Sequence, residues 1–245
     1  MKALLCIDDT DDLESPGTGE LLQNLCAVLE EKGLAEGGFV SRHQLLLHDD
    51  ISYTSHNSSM CTELTLSRKN FPHMIELSRE YLENNCAEGA DPGLCVVDLE
   101  ALKDFEILLQ FGAKAKEIVL DKADAVAVAD KYPETIFLSE HGGTGDGIIG
   151  ALAGCGLRIS GTDGRVKGKL ELTPDELTTV GQFCEKYGIT AVLDQNNRIV
   201  SGEDTLRLVS IVKPLVWHNQ TAVLVRPDEK KMADWRLLSK QEVSL

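Results

Sequence analysis

Lys2-Ala3-Leu4-Leu5-Cys6-Ile7-Asp8-Asp9-Thr10-Asp11-Asp12 carries the fold, because a short apolar run passes at once into a block of carboxylates. Residues 2–7 read as a buried strand that delivers a loop to a sheet edge, and the loop holds the acids. Ser15-Pro16 then marks a helix start, with Ser15 as cap and Pro16 in the first turn. Leu21, Leu22, Leu25, Cys26, Val28 and Leu29 follow at helical spacing until Gly33 stops the helix.

Farther along, residues 39–47 and 60–66 read as two strands, candidates to pair, flanking a polar connection at 49–58. Residues 70–85 have the pattern of an amphipathic helix, 94–97 of a strand, and 99–119 of a helix broken near Gly112. Residues 123–130 continue helical and 136–138 form a short strand. A glycine-rich loop then leads into a helix of small residues, an arrangement at which anions bind. Beyond Leu172 the texture changes. Thr173-Pro174-Asp175-Glu176 reads as a capped helix start, with the helix running to Tyr187. Short strands follow at 191–193, 198–200, 211–212 and 222–225, separated by turns such as Asn196-Asn197 and Asn219-Gln220. Strands and helices alternate without a strict repeat, so the expected class is α+β or mixed α/β. Residues 1–172 form the main region and 173–245 a small carboxy-terminal α+β domain.

The 245 residues suffice for one large domain, or for a main domain with an appendage. No stretch approaches the roughly 20 apolar residues that span a bilayer, and the start forms no signal-peptide core, so no membrane partner and a cytoplasmic location are expected. The seven cysteines, Cys6, Cys26, Cys61, Cys86, Cys95, Cys155 and Cys184, include no C-x-x-C pair and read as reduced, mostly buried thiols. The formal net charge of −16 disfavours a polynucleotide partner, whose backbone calls for a positive face. The basic strip Arg158, Arg165, Lys167 and Lys169 reads as a solvated hairpin.

Carboxylates packed as densely as those of Asp8-Asp9-Thr10-Asp11-Asp12 repel one another, and Mg2+ relieves that repulsion by taking one or two of them together with phosphate oxygens. A solvated acidic loop with capping aspartates is the plainer account. Thr18 stands in the first turn of the next helix, where free amides favour a phosphate; plain capping competes with that role. Gly142-Gly143-Thr144-Gly145-Asp146-Gly147 has four glycines in six residues, which lets backbone N–H groups approach a pyrophosphate. It is neither a P-loop nor a dinucleotide fingerprint, and a surface turn is its rival. His43, His48 and His56 are candidates for one cleft, although each residue type is more often structural.

Four segments, in order, resemble the archaeal tRNA-isoleucine agmatidine synthetase (TiaS) family. Ile7-Asp8-Asp9-Thr10-Asp11 with Gly17-Thr18 resembles its amino-terminal G-I-D-D-T-D signature and following helix. Residues 42–57 look like a degenerate form of its R-L-x-P-x-x-P-Y-K-T-R-G-N segment. Asp91-Pro92-Gly93-Leu94 resembles N-P-G-V, and residues 145–153 are similar to G-R-G-x-I-G-A-x-A-A. The resemblance implies an ATP-dependent catalytic domain of unusual kinase type joined to a ferredoxin-like domain, hence mixed sheets with helices. It implies that Asp8, Asp9 and Asp11 hold Mg2+, that Thr18 accepts a phosphoryl group, and that Gly143, Gly145 and Gly147 bind phosphates; His56 stands near where the family has arginine. Thr10, Gly17, His56, Gly142 and Thr144 complete the candidate nucleotide site, and Asp8 and Asp11 are alternative bases. Thr54-Ser55-His56-Asn57-Ser58 replaces the family's K-T-R-G-N, and Asp146 stands where an arginine is usual.

The leading expectation is an enzyme that uses ATP or GTP with Mg2+ to phosphorylate or activate a small-molecule acceptor. The alternatives are a tRNA cytidine-modifying enzyme acting with a partner, a nucleotide-sensing module without turnover, and an acidic protein with no nucleotide site. Val212-Lys213-Pro214 is a candidate contact with a partner or homodimer mate, a sheet edge being the simpler account.

Overall fold

A computed structural model describes residues 1–53 and 56–243. The chain forms two compact units, Met1–Ser160 and Gly161–Leu245. In the first, the elements run β1 (Lys2–Asp8), α1 (Thr18–Glu31), β2 (Glu36–Gly37), β3 (Ser41–Gln44), β4 (Ser58–Thr65), α2 (Phe71–Asn85), β5 (Gly93–Asp98), α3 (Glu106–Lys114), α4 (Lys122–Ala129), β6 (Ile136–Glu140) and α5 (Gly147–Ser160). The sheet order is β6-β5-β1-β4-β3 with each neighbouring pair antiparallel, and β2 pairs with the far end of β4. The path β1-α1-β3-β4-α2-β5 is a split strand-helix-strand arrangement of ferredoxin-like type. The class is α+β, as the sequence predicts.

Helices cover both faces of this sheet, which explains why β1 is an unbroken apolar run: each side of its pleat is buried. Ala3, Leu5 and Ile7 pack with Leu22, Leu25 and Leu29 of α1 and with Met74 and Leu82 of α2. Leu4 and Cys6 pack with Leu108 and Phe111 of α3 and with Ala151, Leu152 and Cys155 of α5. Full burial of one such leucine contributes about 1.5–3 kcal/mol. Among the described residues no helix is long and apolar enough to cross a membrane.

Several local expectations shift. Helix α1 begins at Thr18 with Gly17 at its cap position, not at Ser15. The Ser15 hydroxyl instead accepts the Asp12 N–H, and the Asp12 carboxylate accepts the N–H groups of Glu14 and Ser15, closing a separate turn. The helix expected over 99–119 is confined to α3, because Asp98 accepts the N–H groups of Glu100 and Ala101 and holds that stretch as a turn. Gly112 does not break α3; it brings that helix against the α5 backbone. Arg158 and Arg165 are buried rather than part of a solvated strip.

The second unit contains β7 (Arg165–Val166), β8 (Leu170–Glu171), β9 (Leu177–Thr179), α6 (Val180–Tyr187), β10 (Ala191–Leu193), β11 (Thr205–Arg207), β12 (Ile211–Val212), β13 (Leu215–Trp217), β14 (Gln220–Pro227) and β15 (Trp235–Leu237). Strand β7 pairs with β13 and β8 with β12, so these strands fall in the second unit although the change of texture in the sequence lies near residue 172. Thr173 does not cap a helix. Asp175 adopts φ 62° and binds Arg207 and Lys230, β9 intervenes, and α6 is capped by Thr179 with Gln182 in a capping box. His218 and Asn219, with φ of 47° and 61°, form the two-residue turn between β13 and β14.

A Cβ placed on Gly156 would stand 1.9 Å from the carbonyl oxygen of Leu108, a backbone atom of α3. Gly156→Ala is therefore expected to destabilise the first unit by about 1–3 kcal/mol through overpacking. Urea unfolding reads this as a lower midpoint at constant slope; an unchanged midpoint would mean that α3 and α5 are not in backbone contact.

Candidate functional site

Strand register brings the separated segments to one end of the sheet. Strands β4 and β5 run antiparallel to β1, pairing Ile7 with Met60 and Asp8 with Gly93. The residues that precede them, 56–57 and 91–92, therefore arrive beside the acidic end of β1. Glu140, the last residue of β6, pairs with Gly93, which delivers the glycine-rich loop and the first turn of α5 to the same end. Thr54 and Ser55 lie outside the described residues.

Asp8 alternates with Cys6 and so faces α5. Gly150 leaves room for it: a Cβ there would stand 1.6 Å from Asp8 Oδ2. Burial, with the neighbouring charge of Asp9 next, pushes the Asp8 carboxyl up to about 8. Asp9, in the left-handed region at φ 50°, is pushed up to about 6 by burial and then by Asp91, Asp11 and Asp146. The Thr10 hydroxyl is buried without a hydrogen-bond partner, while its carbonyl accepts the Ala87 N–H at 3.0 Å. Asp11 accepts a hydrogen bond from the Thr18 hydroxyl at 2.9 Å, and Gly17 sits beside its other carboxylate oxygen. One buried and one half-buried carboxyl, both held toward neutrality, and an orphaned hydroxyl form a hard-oxygen donor set that suits Mg2+.

The glycine-rich loop is an anion nest, filled by the protein itself. The Asp91 carboxylate accepts the N–H groups of Thr144 at 3.1 Å, Gly145 at 2.7 Å and Asp146 at 3.1 Å, together with the Thr144 hydroxyl. Gly143 and Gly145 adopt φ of 55° and 85°, which the turn requires. Gly142 packs on the Ala90 carbonyl, and Gly147 lies so close to Asp91 and Gly93 that only glycine fits at 147 and 93. An ion pair between Lys122 and Glu140 lies against Gly145, and Lys122 also donates to the Thr144 carbonyl.

Thus Asp8, Asp9, Thr10, Asp11, Gly17 and Thr18 meet on one side, and Gly142, Gly143, Thr144, Gly145 and Gly147 on the other. His56 lies on the exposed segment before β4, where its carbonyl accepts from Ser58. Sequence reading missed Asp91, Lys122, Glu140 and Asp146 as parts of the site. Asp91 was visible only as the first residue of the segment that resembles N-P-G-V, and its partners lie more than fifty residues away.

The raised carboxyls have a consequence for stability. Their folded pKa values exceed the unfolded value, so the native state binds more protons than the unfolded state between about pH 4 and 8. In metal-free protein each group's contribution is fully present below the unfolded pKa and is lost as pH rises through the folded one, at up to about 1.4 kcal/mol per pH unit. The melting temperature is expected to fall from about pH 5 to about pH 8 and to recover on adding Mg2+; Asp8→Asn should flatten the dependence. A flat profile in the wild-type chain would contradict the burial of Asp8.

No protein-family model matches the chain, and no curated protein sequence matches it. Solved structures do. The chain is similar to a tRNA fluorescent labeling enzyme at 23% identity and a TM-score of 0.56, covering 78% of this chain and 45% of that one. It is similar to apo TiaS, a tRNA agmatidine synthetase, at 21% identity and a TM-score of 0.55, covering 82% and 48%. It is similar also to TiaS in complex with its tRNA and ATP, at 23% identity and a TM-score of 0.56, covering 82% and 49%. The chain spans about half the length of these proteins. What it shares with TiaS, over about four fifths of its own length, is the fold.

Proposed function

We propose that the chain binds a Mg2+–nucleoside triphosphate, ATP in the first instance, at the acidic end of β1. The observation that carries this reading is the convergence of four distant segments on one sheet end. There a partly buried carboxylate cluster faces a loop whose amides already coordinate an anion. The presence of ATP in a matched TiaS complex supports the choice of nucleotide. Asp8, Asp9 and Asp11 hold the metal, which supplies positive charge against the phosphates. The α5 amino-terminus and the loop amides receive the phosphates, with the Asp91 carboxylate displaced from the nest.

Thr18 is the proposed phosphoryl acceptor. Its oxygen forms a bond to the γ-phosphorus as the bond to the leaving nucleoside diphosphate breaks, and its proton passes to Asp11, the carboxylate it already touches. From this site a small-molecule acceptor, or a nucleic-acid cytidine presented by a partner, is activated. The tRNA in the matched complex favours the latter and the net charge of −16 the former. Salt-sensitive binding of tRNA separates the two.

Isothermal titration with ATP and GTP, with and without Mg2+, tests the site. Metal-dependent binding is expected, weakened more than tenfold in Asp8→Asn/Asp11→Asn, a loss of at least about 1.4 kcal/mol. Equal binding by wild type and variant would remove the carboxylates from the site. Gly150→Ala, which displaces Asp8, should weaken the nucleotide comparably while circular dichroism shows a folded chain. After incubation with Mg2+–ATP, mass spectrometry should find one added phosphate on the peptide bearing Thr18; its absence there, with ATP still bound, would leave binding without this transfer.

A further inference from the structure

Four of the seven cysteines, scattered in sequence, are gathered in space. Cys6 of β1 pairs across the sheet with Cys61 of β4 on one side and with Cys95 of β5 on the other. Cys155 of α5 closes over them, and the sulfurs of Cys6, Cys61 and Cys155 all lie within 4.8 Å of one another. All three residues are fully buried. A second observation points the same way. Ser59, also fully buried on the same face of β4, has a hydroxyl with no hydrogen-bond partner. That hydroxyl and the Cys6 sulfur crowd one spot, standing 2.4 and 2.5 Å from where a Cβ on Gly154 would lie. An orphaned buried hydroxyl is costly unless something occupies it.

We propose that Cys6, Cys61 and Cys155, with Ser59 as the oxygen donor, form a buried site for one thiophilic divalent cation of the Zn2+ class. Tetrahedral zinc with Zn–S bonds of about 2.3 Å needs sulfur separations of roughly 3.8 Å, a contraction of at most about 1 Å from the arrangement seen. Charge favours a divalent ion. Three Zn–S bonds form as three S–H bonds break and three protons leave to solvent, so the cation and three thiolates carry one net negative charge. The buried Arg158 guanidinium, whose charge acts on Cys61, offsets it. The cluster shares no ligand with the nucleotide site and stands or falls independently of it.

The test uses the full chain, stripped of metal and kept reduced, titrated with Cd2+ as a spectroscopic substitute for Zn2+. A thiolate-to-metal charge-transfer band in the ultraviolet should rise to one equivalent, with an accompanying increase in melting temperature. The band should vanish in Cys155→Ala and Cys61→Ser but persist in Cys184→Ser and in Asp8→Asn. Circular dichroism checks that each variant folds. If Cys61→Ser does not, Cys155→Ala, a small-for-small change in a helix of small residues, decides the matter. No band in folded wild-type protein, a band that survives Cys155→Ala, or binding of Cu+ without Cd2+ would each overturn the proposal.

Discussion

The close approach of α5 to the sheet is the constraint on which the rest of the first unit depends. It is set by absent side chains. Gly147, Gly150 and Gly154 recur along the face of α5 that meets β5, β1 and β4, and Gly156 admits α3. At each position a methyl group would penetrate backbone, a carboxylate or a sulfur, so the helix can lie only as low as these glycines allow. Glycine inside a helix costs roughly 1 kcal/mol relative to alanine, and four of them make α5 a poor helix in isolation. Tertiary packing of its apolar remainder, Ile148, Ala151, Leu152, Ala153 and Cys155, offsets that cost.

That low seat decides where the charges go. Asp8 lies on the face of β1 that α5 covers, so its carboxylate is removed from water, and Asp9 is turned by a left-handed backbone toward Asp91 and Asp146. Burial and mutual repulsion act in the same direction, and the positive end of α5 does not cancel them. By contrast Asp91, which meets three loop amides, is satisfied in place. The two kinds of carboxylate differ in hydrogen-bond supply rather than in local sequence.

Much of this was legible beforehand, for identifiable reasons. β1, α1, β5 and β6 could be read because local periodicity and burial agree there. The acidic run and the glycine loop were legible as chemistry because their residues are contiguous. What escaped was long-range pairing. Ser15 looks like a cap but is taken by Asp12, and Thr173 looks like one but adjoins a turn held by Arg207 and Lys230. Asp91 shows no local role until the loop from 144 to 146 folds over it. The clustered cysteines have no motif spacing because Cys6, Cys61 and Cys95 sit on three different strands and Cys155 on a helix.

One strand thereby presents two unlike environments to the same helix. At its end, β1 offers oxygen from Asp8 beneath Gly150; one pleat earlier it offers sulfur from Cys6 beneath Gly154. Hard cations favour the first set and soft ones the second, so ligand chemistry rather than distance keeps the two proposed ions apart. The coupling between them is mechanical. Both environments hang on the depth of α5, and a residue larger than glycine at 150 or 154 that lifts the helix to relieve one would open the other. The spacing of these glycines, four residues along one helical face, matches the spacing of Asp8 and Cys6 along one strand face closely enough that each side chain meets a gap. A substitution that preserves the fold but shifts α5 along its axis would therefore misalign oxygen and sulfur sites together, although they share no ligand.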